Sequence, residues 1–122
     1  MNHLLLIAVA GALGALARYG LVSLVGSRAF PWGTMTANIL GSLLMGFAYV
    51  YIVEKSIVPA DMKPFVMTGF LGAFTTFSTF SLEAWQLLDR GEILIAAFYI
   101  IGTTLICIVA LFAGVLISRA SL

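Results

Sequence analysis

Charge is scarce in this sequence. Only 9% of its 122 residues are Asp, Glu, Lys or Arg, against 62% hydrophobic, where a soluble domain carries about a quarter charged residues. A surface facing water cannot be clothed on that supply. Six basic residues stand against five acidic ones, so there is no basic patch of the kind that holds nucleic acid. The only histidine is His3, at the N-terminus, and no paired carboxylate deeper in the chain offers acid–base work in its place. Metal-ligand spacing is missing, and the plentiful Ser and Thr hydroxyls have no neighbouring base to activate one as a nucleophile. The chain is therefore not expected to be an enzyme. Cys107 is the single cysteine; it cannot form an intrachain disulfide and leaves the redox compartment open.

What fills the chain instead is long apolar runs. The first covers residues 3–17 and continues past Arg18 to 26; the others cover 29–53, 64–82 and 93–118. Each approaches or exceeds the roughly 20 residues that cross a bilayer's hydrocarbon core. The first run lacks the basic n-region and small-residue cleavage site of a signal peptide, and it is long enough to span. The pattern predicts an all-α integral membrane protein: a single domain over 1–122 with helices at about 3–26, 31–53, 64–84 and 93–118. So thin a bundle has little interior in which to keep polar groups from lipid, which favours oligomerisation.

Four spans put both termini and the helix 2–3 loop on one side, with Lys55, Lys63 and Arg119; the other side carries Arg28 and Arg90, with Arg18 near it. Orientation follows the Lys/Arg excess in short loops, and here that excess is close to nil. Such a chain is expected to insert both ways, so that opposed copies can pair antiparallel. The alternative is that the termini or the insertion machinery impose one orientation.

Against this apolar background the polar residues stand out. Helix 1 carries Gly11, Gly14, Ala15 and Arg18 at helical spacing, a small-residue packing face ending in a cation. Arg18 either snorkels to the headgroups or serves as a structural or anion-attracting charge at a vestibule. In helix 2, Thr34, Asn38 and Ser42 lie four apart, on one face with Gly41 beside them. Asn38, near mid-membrane, is either interhelical glue or a donor facing a polar path; its company in helix 3 favours the path. Trp32 and Trp85 read as interfacial anchors, and Pro64 suits the first turn of helix 3.

Residues 69–81, Gly-Phe-Leu-Gly-Ala-Phe-Thr-Thr-Phe-Ser-Thr-Phe-Ser, are the most anomalous stretch, with five hydroxyls and two glycines in a membrane segment. Gly69 and Gly72 weaken the helix, and the hydroxyls can bond backbone carbonyls locally. A break is predicted within 72–77. Irregular backbone at that depth is tolerated only where it is buried or lines a cavity, and discontinuous helices of this kind build ion sites. Where helical geometry holds, Thr75, Thr79 and Glu83 share a stripe, with Phe77 and Phe80 on a neighbouring one. Those rings either pack against lipid and core or line a path; Glu83 marks either the interface or the mouth of that path. In helix 4, Tyr99, Thr103 and Cys107 recur at i, i+4 and i+8, where Cys107 reads as a small packed hydrophobe.

This set suits a small anion. Hydration must be replaced by N–H and O–H donors, and Asn38, Ser78, Thr79, Tyr99 and Thr103 are neutral ones that can also release the ion. A phenylalanine ring edge carries partial positive charge, so Phe77 and Phe80 could hold an anion while excluding cations. Composition does not say which anion.

Three segments carry a resemblance to a known family. Helix 1 has Gly14-Ala15-Leu16-Ala17-Arg18-Tyr19, helix 2 has Gly33-Thr34 with Asn38 and Gly41-Ser42, and helix 3 has Thr75-Thr76-Phe77-Ser78-Thr79-Phe80-Ser81. In this order and over nearly the whole chain they resemble the Fluc, or CrcB, family of fluoride channels. The resemblance implies an antiparallel dual-topology homodimer with two pores, passing fluoride passively out of the bacterial cytoplasm across the inner membrane and so conferring fluoride resistance. It implies that Phe77 and Phe80 are pore phenylalanines and Asn38 a pore asparagine. Ser78, Thr79 and Glu83, joined by Tyr99 and Thr103, would form a polar track beyond the rings. Gly72 and Thr75 would offer backbone carbonyls to a structural Na+ on the two-fold axis. The chain departs from the family pattern at Ala73 and Ala10, where glycine is usual, and at Thr103, where serine is expected. Two other classes fit the sequence less well. A proton-coupled exporter of cationic drugs would want a carboxylate in helix 1, and there is none. A non-transporting assembly subunit would not need polar stripes aligned on three helices.

Overall fold

The computed structural model describes residues 3–122. Four stretches are helical over lengths that can cross a membrane: His3–Val25, Trp32–Glu54, Ala60–Asp89 and Ile93–Ser121. At 1.5 Å rise per residue, the 23 residues of each of the first two extend about 35 Å, enough for a ~30 Å hydrocarbon core. Helix α1 is His3–Val25 and α2 is Trp32–Ala48, the latter running on as a wider i→i+5 helix over Tyr49–Glu54. The third span is composite. A 3₁₀ turn at Ala60–Met62 leads to an i→i+5 helix at Pro64–Leu71, then a single α-turn at Gly72–Phe74. After two extended residues, α3 covers Phe77–Asp89; the last span is α4, Ile93–Ser121.

The outward faces are apolar: Leu24, Phe98, Leu94 and Leu4 are all at least three-quarters exposed. On the inward face of α4 the order is reversed. The buried residues of α4 are Ala96, Tyr99, Thr103, Gly114 and Ser118, which are small or polar rather than large and greasy. Lipid is as apolar as leucine, so membrane helices gain by turning small and hydrogen-bonding residues inward. Helix α2 packs chiefly on α4, and α1 on the Pro64–Leu71 segment. Two glycines face each other across the α2/α4 seam, with a Cβ on Gly46 falling 2.3 Å from the Leu111 carbonyl oxygen and one on Gly114 falling 2.3 Å from that of Leu43. Neither position has room for a side chain. The small face of helix 1 packs in the same way, since a Cβ on Gly14 would lie 2.2 Å from the Phe70 carbonyl oxygen.

At one end of the bundle Arg119 of α4 pairs with Glu54, the last residue of the second span. At the other end, Trp32 opens α2 and Trp85 lies in the last part of α3, both mostly exposed, where amphipathic rings suit the headgroup layer.

Candidate functional site

The site is built around the interruption of the third span. Thr75 (φ −92°, ψ 158°) and Thr76 (φ −152°, ψ 122°) are extended, inside the 72–77 window. Two extended residues cut the helical ladder, and every backbone group released at membrane depth needs another partner. Asn38 of α2 supplies two at once. Its Oδ1 accepts the Thr76 N–H at 2.8 Å, and its Nδ2 donates to the Thr76 carbonyl at 3.0 Å. The glue reading of Asn38 is thus realised, with one of its two N–H donors committed to Thr76. Thr76 in turn caps α3, its Oγ1 accepting the Thr79 N–H at 3.2 Å. On the near side of the break the Thr75 N–H and Oγ1 both donate to the Leu71 carbonyl. Helix α2 can come this close only because position 41 is glycine: a Cβ there would lie 2.2 Å from Thr75 Cγ2.

The rearrangement leaves particular carbonyls without helical partners. The Thr76 N–H that would return to the Gly72 carbonyl goes to Asn38, and the Thr79 N–H that would return to Thr75 goes to Thr76 Oγ1. Between them, the Ala73 carbonyl accepts from Arg18 Nε at 3.2 Å. Arg18 is half-buried and ties α1 to the break.

Beside the break lies a cavity of about 350 Å³, lined among others by Asn38, Ser42, Thr75, Thr76, Phe77, Phe80, Thr103 and Cys107. Phe80 is 6% exposed and Phe77 78%, their ring centroids 5.4 Å apart and tilted 46°. Thr103 is almost fully buried, and among the described residues its Oγ1 has no hydrogen-bond partner.

On the far face of Phe80 is a second polar cluster. Tyr99, fully buried, stacks obliquely at 5.0 Å from Phe80 and donates from its OH to Glu83 Oε1 at 2.9 Å. The other Glu83 oxygen accepts from Thr34 Oγ1 at 3.0 Å. Phe30 meets Tyr99 edge-on at 5.3 Å, and Glu83 also borders a smaller cleft with Ser27, Arg28 and Arg90 toward the bundle end. Polar groups therefore run from Ser42 and Thr103, past the phenylalanines, to Glu83 and its partners.

The predicted residues are thus distributed unevenly. Asn38, Phe77, Phe80, Thr103 and Thr75 share the main cavity, while Glu83 and Tyr99 form the second cluster. Ser78, exposed, pairs its hydroxyl with that of Thr76 at 3.3 Å, and Thr79 is half-buried in the first turn of α3. Gly72 is exposed at the break. Three features differ from the sequence reading. Thr75 leaves the stripe of Thr79 and Glu83, because the extended residues lie between them. Cys107 lines the cavity instead of packing as a plain hydrophobe. Thr34, noted in the sequence only as a stripe member, is a partner of Glu83; its four-residue spacing from Asn38 was the available signal.

Comparison with known proteins is consistent over almost the entire length. Residues 5–115 match the family model described as CrcB-like protein, Camphor Resistance (CrcB). The chain is 47% identical over 120 residues to the fluoride-specific ion channel FluC of Hahella chejuensis, covering 96% of this chain and 94% of that protein. It is 43% identical over 116 residues to the protein so named in Magnetococcus marinus, covering 93% and 94%. The corresponding protein of Rhizobium meliloti is 43% identical over 123 residues, covering 98% of each chain.

Proposed function

This chain belongs to the CrcB family, and on that footing we propose that it is a fluoride-specific ion channel of the membrane, not an enzyme. The observation that carries the reading is the cavity beside the broken helix, which sets neutral donors against two phenylalanine rings. Fluoride binds its water tightly, so a path for it must offer hydrogen-bond donors close enough to replace that water. Asn38 and Ser42 offer them in the main cavity with Thr103 beside them, while beyond it the Thr34 and Tyr99 hydroxyls are held by the Glu83 carboxylate. None is cationic, so binding stays weak enough for release. Phe77 and Phe80, with Ser78, Thr79 and Glu83 on the same helix, carry the ion between the two regions; ring edges attract the anion and repel cations. Fluoride that enters as neutral hydrogen fluoride and ionises inside then leaves passively through the bacterial inner membrane.

The working unit in this reading is an antiparallel homodimer with two pores. Phe77 supports it, being a large ring at the cavity edge yet 78% exposed in the single chain, as a residue shared with a second copy would be. The near balance of loop charges supports insertion in both orientations. A structural Na+ on the two-fold axis fits the break: the Gly72 and Thr75 carbonyls are released from the helical ladder, Gly72 is exposed, and unwound carbonyls of this kind suit Na+. Bound there, the cation would join the breaks of the two copies.

The test is efflux from liposomes containing the purified protein, followed with fluoride- and chloride-sensitive electrodes. Fluoride should leave at least on the order of a hundredfold faster than chloride, a difference worth about 3 kcal/mol between the two ions. Equal rates, or no flux, would overturn the reading. Phe80→Ile should impair fluoride flux strongly while the protein still elutes as a dimer; unaltered flux would remove that ring from the path.

A further inference from the structure

We propose that the apolar cleft between the second and third spans is a slot for one anionic phospholipid, with an acyl chain inside it and the phosphate on Lys63 and Tyr51. The cleft holds about 390 Å³ and is walled by Leu44, Tyr51 and Val66 among others. Its floor is Ala48, Ile52 and Leu71, each less than a tenth exposed. An apolar cavity of about 150 Å³ already stays dry and takes up apolar guests, and this one is more than twice as large. Tyr51 brings the only polar side-chain atom to the lining.

The length of the slot says which apolar guest it suits. Along the second span the lining runs from Leu44 to Ile52, about 12 Å at 1.5 Å rise per residue. The inner end is at Leu71, beside the break that begins at Thr75. The outer end is at Val58 in the connecting loop, whose N–H donates to the Tyr51 carbonyl at 2.9 Å. The slot therefore covers roughly one leaflet, half of a ~30 Å hydrocarbon core. That is the reach of a lipid tail hung from one headgroup layer, whereas a neighbouring helix would cross the whole core.

The polar groups at the outer end select the headgroup. Lys63 is exposed, comes one turn before Val66, and takes part in no ion pair among the described residues. Residues three or four apart share a helix face, which places Lys63 at the mouth of the slot; Asp61, two residues earlier, does not share that face. Lys55 lines a different cleft, with Glu54 and Arg119. The Tyr51 hydroxyl likewise has no hydrogen-bond partner among the described residues. A lipid phosphate offers acceptor oxygens to both donors, and in an anionic lipid no cation of its own competes for them. Basic pockets between membrane helices hold anionic headgroups in this way.

The test uses the full chain in phosphatidylcholine liposomes doped with phosphatidylglycerol or phosphatidylcholine that carries a diazirine in one acyl chain. After irradiation the attached lipid is mapped by peptide mass spectrometry. Phosphatidylglycerol should label residues 44–52 and 66–71 about fivefold more than phosphatidylcholine does, the preference one lysine supplies, while both label the outward face of α4 equally. Lys63→Gln should remove the preference and Lys63→Arg keep it. The first leaves Lys55 and Arg119 against Arg28 and Arg90, so it imposes no orientation of its own. Ala48→Leu, which fills the floor, should lower labelling of the cleft by both lipids. Equal labelling of the cleft by the two lipids would make it ordinary lipid-facing surface and overturn the proposal. No label from either would overturn it too, and would mean that a second copy covers the cleft. None of these outcomes depends on fluoride transport.

Discussion

Asn38 holds together a backbone that would otherwise be torn open at membrane depth, and the same carboxamide borders the cavity. Those two roles respond differently to substitution. Asn38→Ala strands the Thr76 N–H, at a cost of about 1–3 kcal/mol, and removes the second donor from the Thr76 carbonyl, which keeps its place at the start of α3. Asn38→Asp keeps an acceptor for the Thr76 N–H but loses the donor and places negative charge beside the proposed ion path. We expect the alanine variant to show the larger fall in unfolding temperature in detergent, and the aspartate variant to retain more stability yet pass no measurable fluoride. Equal losses of stability and flux in the two variants would deny Asn38 a separate role in the path. Both roles of this residue were legible as alternatives in the sequence, because an amide in an apolar run needs a partner. Which partner was not legible: Thr76 lies 38 residues away, and nothing local in either segment names the other. Glu83 behaves similarly. Its spacing marked it, but the hydroxyls of Thr34 and Tyr99 that hold its two oxygens come from two other helices.

At the scale of the element, the break was the most legible feature, since glycines and hydroxyls clustered in an apolar run weaken a helix whatever surrounds it. The i→i+5 winding over Tyr49–Glu54 and Pro64–Leu71 was not legible. Such turns depend on how a helix is packed along its length rather than on its own residues, and these two segments share an apolar cleft with Val58 between them. The break also carries the sodium proposal. If the Gly72 and Thr75 carbonyls bind Na+, the folded protein should be stabilised by mass action as sodium rises, by RT ln(1 + [L]/Kd), or about 2.7 kcal/mol at a hundredfold excess over Kd. Thermal unfolding in detergent should shift upward with sodium and not with equal concentrations of potassium or N-methylglucamine. A shift shared by all three salts would reflect ionic strength alone and sink the proposal.

For the whole molecule, orientation is the open consequence of having so little charge. Arg18 donates to the Ala73 carbonyl at the break, so it belongs to the interior and not to a loop. That leaves Lys55, Lys63 and Arg119 on one side against Arg28 and Arg90 on the other, and Arg119 and Arg90 are each already paired with a carboxylate. An excess of one residue in short loops is a weak signal for the insertion machinery. Reporters fused to the C-terminus should therefore be found on both faces of the membrane. Adding lysines to the loop between α1 and α2 should fix one orientation and abolish fluoride efflux, and adding them to the loop between the second and third spans should fix the other with the same result. Neither variant can then find an opposed copy, but co-expression of the two should restore flux, because each supplies the orientation the other lacks. A fixed-orientation variant that conducts at the full rate alone would show that the unit is not antiparallel. In that case Phe77 would need some explanation for its exposure other than a ring shared between copies.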